Sequence, residues 1–380
     1  PPYVGSVMNV RETLYVLHRD EPSETFIRRE IESLRGLGLP VAVHTLAAPP
    51  AADVPPSARR AVLRALAARL LVPPRSAAHA LRLIRNAPHA WRLAAAAARL
   101  GRPLLHAQFA WTAADAASLA AAALGLPWTC AVHAWDVFTR PPRETRARLA
   151  TAAGVAACSG RAAAALLAAG LPAERVRLIR HGLDPAAFPF NPQRPAGHIA
   201  AVGRLVPKKG FDTLLAACAG LRRGGVEVHC TLAGDGPEGA RLRRLAETLG
   251  IADAVTWTGW LPAADAQRVI AGATVLAHPS RRLADADADG FANVLTEAMF
   301  LGTPVVTTAA GAAAELLRDG VSACIVPPED PAALTAALAE LLADPGLRHR
   351  LAAAARTTAE ADLDQNRLVR KLADFLDAAR

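Results

Sequence analysis

Short, nearly uninterrupted apolar runs alternate along this chain with longer stretches whose apolar residues recur every third or fourth position. The first kind fits a strand buried on both faces, the second a helix with one apolar side. In the first half, residues 14–17, 41–46, 104–109, 128–133, 155–158 and 176–180 read as strands. A helix is predicted after the first, with Ser23 as its N-cap, Glu24 in its first turn and its end near Leu34. Two arginine-bearing helices follow the second strand. The first of them places Val62, Leu63, Leu66 and Leu70 at helical spacing along one side.

After Asp184 the pattern breaks. Pro185, Pro189, Pro192 and Pro195 fall within eleven residues, which no helix or central strand tolerates. Residues 185–197 are therefore read as a linker between a first domain, 1–184, and a second, 198–362. The second half resumes the alternation, with strands at 199–202, 226–233, 254–258, 274–277, 304–307 and 324–326 and helices at 211–221 and 240–249. A last helix, within 363–380, is expected to fold back onto the first domain. Strands repeatedly followed by helices imply parallel sheets with right-handed crossovers. The predicted fold class is α/β: two Rossmann-like, doubly wound domains facing a central cleft, with ligands beyond the carboxyl ends of the strands.

Hydrophobic residues make up 52% of the chain, but much of that is alanine, so close helix packing is expected. The longest uncharged run of the first half, 116–132, contains Gly125 and Pro127 and is a poor membrane span. No basic-then-apolar segment opens the sequence, which points to the cytoplasm. Cys130, Cys158, Cys218, Cys230 and Cys324 form no Cys-x-x-Cys pair; they are read as buried reduced thiols, not zinc ligands. The net charge of +9 is uneven: between Asp53 and Asp115 there are ten arginines and no acid. An anionic partner is expected. Interleaved aromatics and nucleic-acid modules are missing, which argues against nucleic acid and leaves an anionic membrane surface, a phosphorylated acceptor, or a merely solvated arginine face.

Candidate chemistry is concentrated in the second half. Asp289 stands eight positions before Glu297, with Gly290, Phe291, Ala292, Asn293 and Val294 following it. This reads as a loop running into a helix N-terminus, whose free N–H groups and positive dipole end suit a phosphate. The two acids can then grip two parts of one extended ligand, although an ordinary acidic helix start gives the same spacing. The loop Gly203-Arg204-Leu205-Val206-Pro207-Lys208-Lys209-Gly210 follows a strand and holds two of only three lysines in the chain, as a diphosphate clamp would. Gly234-Asp235-Gly236-Pro237 and Thr258-Gly259-Trp260-Leu261 read as structural turns. The run from Asp285 to Gly290 begins like a calcium loop, but position twelve is Thr296 and Glu297 comes one late, so no metal site is assigned. His106, His133 and His181 fall at predicted strand ends. A lone histidine is ordinarily a core or capping residue; His133 is favoured because Asp136 lies nearby.

Together these motifs resemble the retaining, nucleotide-sugar-dependent glycosyltransferases of the GT-B fold, family 4 type. That family includes bacterial exopolysaccharide and lipopolysaccharide sugar transferases. The matching residues are Gly203-Arg204, Lys209-Gly210, Gly234-Asp235-Gly236-Pro237 and the pair Asp289 and Glu297. Ser23-Glu24-Thr25-Phe26-Ile27 and His133-Ala134-Trp135-Asp136 resemble the subgroup that makes colanic-acid-like polysaccharides. The resemblance implies that Arg204 and Lys209, with Gly203 in their loop, hold the donor diphosphate and stabilise the leaving nucleotide. It implies that Gly290, Phe291, Ala292, Asn293 and Val294 bind the donor, the last three by backbone N–H groups. Glu297 would then take the ribose, and Asp289 and His133 the sugar. The acceptor hydroxyl attacks on the leaving-group face, so neither a metal nor a cofactor is expected. Two departures stand out: Asp289 replaces the usual Glu, and Ala292 the usual Pro or Gly. The expected activity is hexosyl transfer from a nucleotide sugar to a saccharide acceptor, lipid-linked, in exopolysaccharide or cell-surface polysaccharide synthesis at the inner face of the membrane. The alternatives are a nucleotide-sugar epimerase and a donor-binding protein without turnover. A pyridoxal-dependent phosphorylase is disfavoured, because the three lysines are poorly placed for that cofactor.

Overall fold

The computed structural model describes residues 12–17, 25–47, 54–71, 77–193, 196–284 and 289–380. The expected N-cap Ser23, with Glu24, and the calcium-like run 285–288 lie outside the described residues. The chain forms two compact units, one ending at Arg180 and taking in Asn366–Arg380, the other running from His181 to Gln365.

In the first unit, β1 (Thr13–Leu17), β2 (Val41–Thr45), β3 (Leu104–Gln108), β4 (Trp128–Val132), β5 (Gly154–Ala157) and β6 (Val176–Leu178) form one sheet, ordered β2-β1-β3-β4-β5-β6. All neighbours are parallel; Tyr15, for example, sits opposite Val43 on one side and His106 on the other. Every residue of β1, β3, β4 and β5 is buried, because helices cover both faces. On one face α1 (Thr25–Gly36) and the last helix, α14 (Gln365–Ala378), bury Ile27, Ile31, Leu34, Val369, Leu372 and Leu376 against Tyr15, Leu17 and Leu104. On the other lie α2 (Pro56–Leu70), α3 (Ala77–Arg99) and α4 (Thr112–Leu124). Ten consecutive residues of α4, Thr112 to Ala121, are buried, which its alanine methyls allow by admitting close neighbours on every side. Helix α2 corrects one expectation: Val62 and Leu66 turn inward, but Leu63 and Leu70 are exposed. Three short helices, α5 (Ala134–Phe138), α6 (Pro142–Leu149) and α7 (Gly160–Ala168), complete the unit.

The second unit holds β7 (His198–Val202), β8 (His229–Ala233), β9 (Val255–Gly259), β10 (Val275–His278), β11 (Val305–Thr308) and β12 (Cys324–Val326), in the order β12-β11-β10-β7-β8-β9. Read from β9, the order runs third, second, first, fourth, fifth, sixth. The winding therefore reverses between β7 and β10, and a doubly wound sheet binds its ligand beyond the carboxyl ends of the strands at such a reversal. Helices α8 (Phe211–Arg223), α9 (Gly239–Thr248), α10 (Ala263–Ala271), α11 (Asn293–Leu301), α12 (Pro331–Ala343) and α13 (Pro345–Asp362) supply the rest.

The proline-rich stretch read as a linker is a packed part of the second unit. Phe188 is buried against Phe300 with ring centres 6.2 Å apart. The Asn191 N–H donates to the Leu301 carbonyl at 3.1 Å, and Arg356 donates to the Phe188 carbonyl at 2.7 Å. Prolines keep the segment extended, while one aromatic side chain anchors it. The five cysteines form no disulfide; Cys130, Cys218 and Cys230 are buried and Cys158 and Cys324 half-buried. Part of the arginine excess is structural: Arg69 donates to Ser118 and Thr151, Arg92 to the Leu46 carbonyl, and Arg82 pairs with buried Asp115. Among the described residues no helix is long and apolar enough to cross a membrane.

Candidate active site

The basic loop leaves β7 at Val202 and tightens into a short turn at Pro207–Lys209. Gly210 ends that turn at φ +66°, and a Cβ there would stand 1.9 Å from the Pro279 carbonyl oxygen. Only glycine lets the loop close on the end of β10. Backbone bonds fix both sides of it: the Arg281 N–H donates to Lys208 and the Leu205 N–H to Asp235, each at 2.8 Å. The Gly234-Asp235-Gly236-Pro237 turn thus props the basic loop.

Held this way, the two lysines converge on Asp289. Lys209 Nζ is 2.6 Å from its Oδ2, and Lys208 Nζ is 3.8 Å from Oδ1. His278, the last residue of β10, places Nε2 3.2 Å from the same Oδ2. All four side chains are largely shielded from water, from 3% exposed for His278 to 11% for Asp289. Burial alone would raise the Asp289 carboxyl. Lys209, His278 and Lys208 outweigh it and hold the group well below the usual carboxylate range. Burial pushes the His278 imidazole down, with Lys209 adding to the effect and Asp289 opposing it, so the ring is neutral at pH 7. The Asp289 carbonyl is pressed by the loop after β11, where a Cβ on Gly311 would meet it at 2.2 Å.

Helix α11 begins at Asn293, four residues after Asp289, so the first acid sits in the loop and Glu297 one turn into the helix. Ala292 is the N-cap and offers no capping side chain, which leaves the first N–H groups without side-chain acceptors. Gly290 continues the loop, and the half-buried Phe291 packs against the core of the second unit. Glu297 is half-buried. Gly203 lies against the Lys209 stem, a Cβ there standing 3.3 Å from Cε. Arg204 is exposed and makes no ion pair among the described residues, while Lys208 joins Lys209 at Asp289. His278 escaped the sequence reading, although its signal was present: it is the residue just past a predicted strand in a sheet that binds at strand ends.

In the first unit, His133 caps α5 at the end of β4 and is 8% exposed. Its ring lies 4.3 Å from that of Phe109 and 5.1 Å from that of Phe26, centre to centre. Phe109 has φ +68°, rare for an aromatic residue, because the chain turns sharply out of β3 to bring its ring over His133. Asp136, fully buried, accepts from the His133 N–H at 2.7 Å and from the Ala110 N–H, tying the ends of β3 and β4 together. Burial pushes its carboxyl up to about 7 against those hydrogen bonds.

Behind His133 runs a polar chain that the sequence did not disclose. Gln108 donates to Glu30 at 3.0 Å, as does the Tyr15 hydroxyl at 2.8 Å. Burial raises Glu30 to about 7, with Tyr15 and Gln108 restraining the rise. With its NH₂ committed to Glu30, Gln108 presents its carbonyl oxygen to His133 Nε2, 3.3 Å away, and so favours a proton on Nε2. Helix phase was the missed signal for Glu30, which stands three residues after Ile27 and four before Leu34. His106 is a correction: it lies inside β3, fully buried and bonded to Thr129 at 2.8 Å, and burial lowers its pKa to about 3. His181 is the first residue of the second unit and half-buried.

Cations, an uncapped helix N-terminus and a topological reversal in one place suit a phosphorylated ligand. Residues 23–187 match the family described as Glycosyltransferase Family 4, and residues 190–358 match Glycosyl transferases group 1. The chain belongs to these GT-B glycosyltransferases. The amylovoran biosynthesis glycosyltransferase AmsK of Erwinia amylovora is 32% identical over 216 residues, covering 56% of this chain and 53% of that one. A GDP-mannose-dependent alpha-(1-6)-phosphatidylinositol monomannoside mannosyltransferase of Mycobacterium tuberculosis is 34% identical over 256 residues, covering 64% and 63%. The chain spans about half the length of the first curated relatives it matches. Among solved structures, Anabaena Alr3699/HepE in complex with UDP superposes with a TM-score of 0.74 at 20% identity, covering 97% of this chain and all (100%) of the other. Sucrose-phosphate synthase from Thermosynechococcus elongatus gives 0.77 at 22%, covering 97% and 98%. At these identities the likeness is one of fold, and it is the GT-B fold.

Proposed function

We propose that this GT-B family member transfers a hexosyl group, with retention, from a nucleotide-sugar donor to a lipid-linked saccharide acceptor in exopolysaccharide or cell-surface polysaccharide synthesis. The observation that carries the reading is the convergence of Lys208, Lys209 and His278 on Asp289 beside the uncapped start of α11. The donor diphosphate takes the place of the Asp289 carboxylate at Lys209, the α11 N–H groups receive its oxygens, and exposed Arg204 closes on it from the loop. Charge on the departing nucleotide is neutralised by these preorganised groups, so the scheme calls for no metal or cofactor. Asp289 then turns to the sugar hydroxyls and Glu297 to the ribose. Relatives support the ligand classes: HepE structures hold UDP and UDP-glucose, AmsK serves amylovoran synthesis, and the mycobacterial enzyme is named for a phosphatidylinositol-borne acceptor. Exposed Leu63, Leu70 and Leu71 beside Arg60 and Arg64 on and after α2 support a peripheral contact with the cytoplasmic face of an anionic membrane.

The test is incubation with a panel of nucleotide sugars, with and without a lipid-linked saccharide, following released nucleotide and the anomeric configuration of the product. Acceptor-dependent release with retention is expected. Interconversion of donor sugars without acceptor would mark an epimerase, and binding without release a donor-binding protein.

A further inference from the structure

A cavity of about 860 Å³ lies wholly within the first unit, between the start of α3 and the junction of α5 with α6. Arg85, Arg140, Arg143, Trp111, Leu81 and Ile84 line it. Two more arginines of its wall are already matched. Arg82 lies 2.9 Å from Asp115, and Arg148 lies 2.8 Å from Glu144. The other three have no carboxylate partner among the described residues. Arg140 is held instead by indoles, its guanidinium 3.9 Å from the centre of Trp111 and 5.4 Å from that of Trp135, and its Nε is buried without a hydrogen-bond partner.

Five guanidinium groups therefore share two carboxylates. Crowding like charges in a partly dry site is costly unless an anion relieves it. Arg148 registers this: burial lowers its pKa, Asp115 and Glu144 oppose, and Arg82 and Arg140 add to the lowering. The same wall carries exposed aliphatic side chains, Leu81 at 67% and Ile84 at 50%. The carboxylate of an acidic sugar would leave most of the positive charge unmatched, and a saccharide would gain little from Leu81 and Ile84. A diphosphate esterified to an aliphatic chain answers both features.

We propose that this cavity binds the diphosphate of a lipid carrier, with Arg85, Arg140 and Arg143 on the phosphates and the first carbons of the chain against Leu81, Ile84 and Trp111. Guanidinium groups suit the task because their forked N–H pairs match phosphate oxygens. The cavity shares a hydrogen-bonded frame with His133: Arg148 donates to the Ala110 carbonyl at 2.8 Å, and the Ala110 and His133 N–H groups both donate to Asp136. Assigning the bound lipid as the acceptor's anchor rests on the transferase reading; the binding itself does not.

The experiment is calorimetric titration of the whole chain with farnesyl diphosphate, with inorganic pyrophosphate, and with phosphatidylcholine vesicles with and without phosphatidylglycerol. It is run on the wild type, on Arg85→Ala/Arg143→Ala and on Leu81→Ser/Ile84→Ser, all exposed positions, with thermal unfolding to confirm folding. Farnesyl diphosphate should bind about tenfold more tightly than pyrophosphate. The arginine variant should weaken both ligands about tenfold, and the aliphatic variant only the first. Equal affinity for the two ligands in the wild type, or indifference to both variants, overturns the proposal. So does a loss confined to phosphatidylglycerol vesicles, which would make this a bilayer contact. UDP binding, measured on the same proteins, should not move. A wild type that binds farnesyl diphosphate but no UDP would sink the donor reading and leave this one standing.

Discussion

Replacing Asp289 by asparagine removes one negative charge from beside two ammonium groups while scarcely changing the shape of the side chain. At 2.6 Å and an effective dielectric of about 20, the gross attraction between Lys209 and Asp289 is about 6 kcal/mol. Most of that offsets the cost of taking both groups out of water, so the net loss should be about 1.5–3 kcal/mol, as for other charge-assisted bonds. In a unit of this size, about 2–4 °C of melting temperature per kcal/mol gives a fall of about 3–12 °C. On the proposed reading, the same change removes the anion that the donor diphosphate displaces. UDP should therefore bind the variant about as tightly as the wild type or up to about tenfold more tightly, and restore much of the lost stability. Nucleotide release should nevertheless collapse if, as proposed, Asp289 holds the donor sugar. Scanning fluorimetry with and without UDP, together with calorimetry, reads every term. An unchanged melting temperature would show that the ion pair contributes nothing, and weaker UDP binding that Asp289 does not compete with phosphate. The pH dependence has a fixed sign. With its folded pKa depressed, Asp289 contributes stability that is present above the unfolded value of about 3.8 and lost as pH falls below it.

Lys209→Ala should weaken UDP binding by about 2 kcal/mol, near thirtyfold by calorimetry, with Lys208 supplying the remainder. Gly210→Ala sets a Cβ 1.9 Å from a backbone oxygen at φ +66° and should cost about 2–4 kcal/mol by chemical denaturation, with donor binding lost alongside. Glu30 behaves oppositely to Asp289: its folded carboxyl keeps a proton until about 7, whereas the unfolded one releases it near 4.5. Stability should therefore fall as pH rises across that window and level off above it, and Glu30→Gln should flatten the slope in denaturant titrations at each pH.

What the sequence disclosed and what it withheld divide along a physical line. Strands such as β3 and β4 were legible because burial on both faces leaves an apolar run that ends where the chain meets solvent. The Gly-rich basic loop and the start of α11 were legible because turn chemistry and helix starts are written in adjacent residues. The withheld facts are pairings between distant segments. Lys209 meets Asp289 across 80 positions only because the winding reverses between β7 and β10, a reversal that no local pattern encodes. Phe188 reads as linker because prolines dominate its neighbourhood; its anchoring partner, Phe300, lies more than a hundred residues on. Glu30 falls between the two cases. The phase of Ile27, Ile31 and Leu34 already places it toward the core, but its value as an acceptor depends on Gln108 arriving from β3. A part-buried acid on an apolar helix face is tolerable only if partners arrive to receive it, so such a residue is itself a forecast, readable in the sequence, of a polar site. Followed through in this chain, that forecast leads from Glu30 by way of Gln108 to His133, the side chain selected independently from its motif.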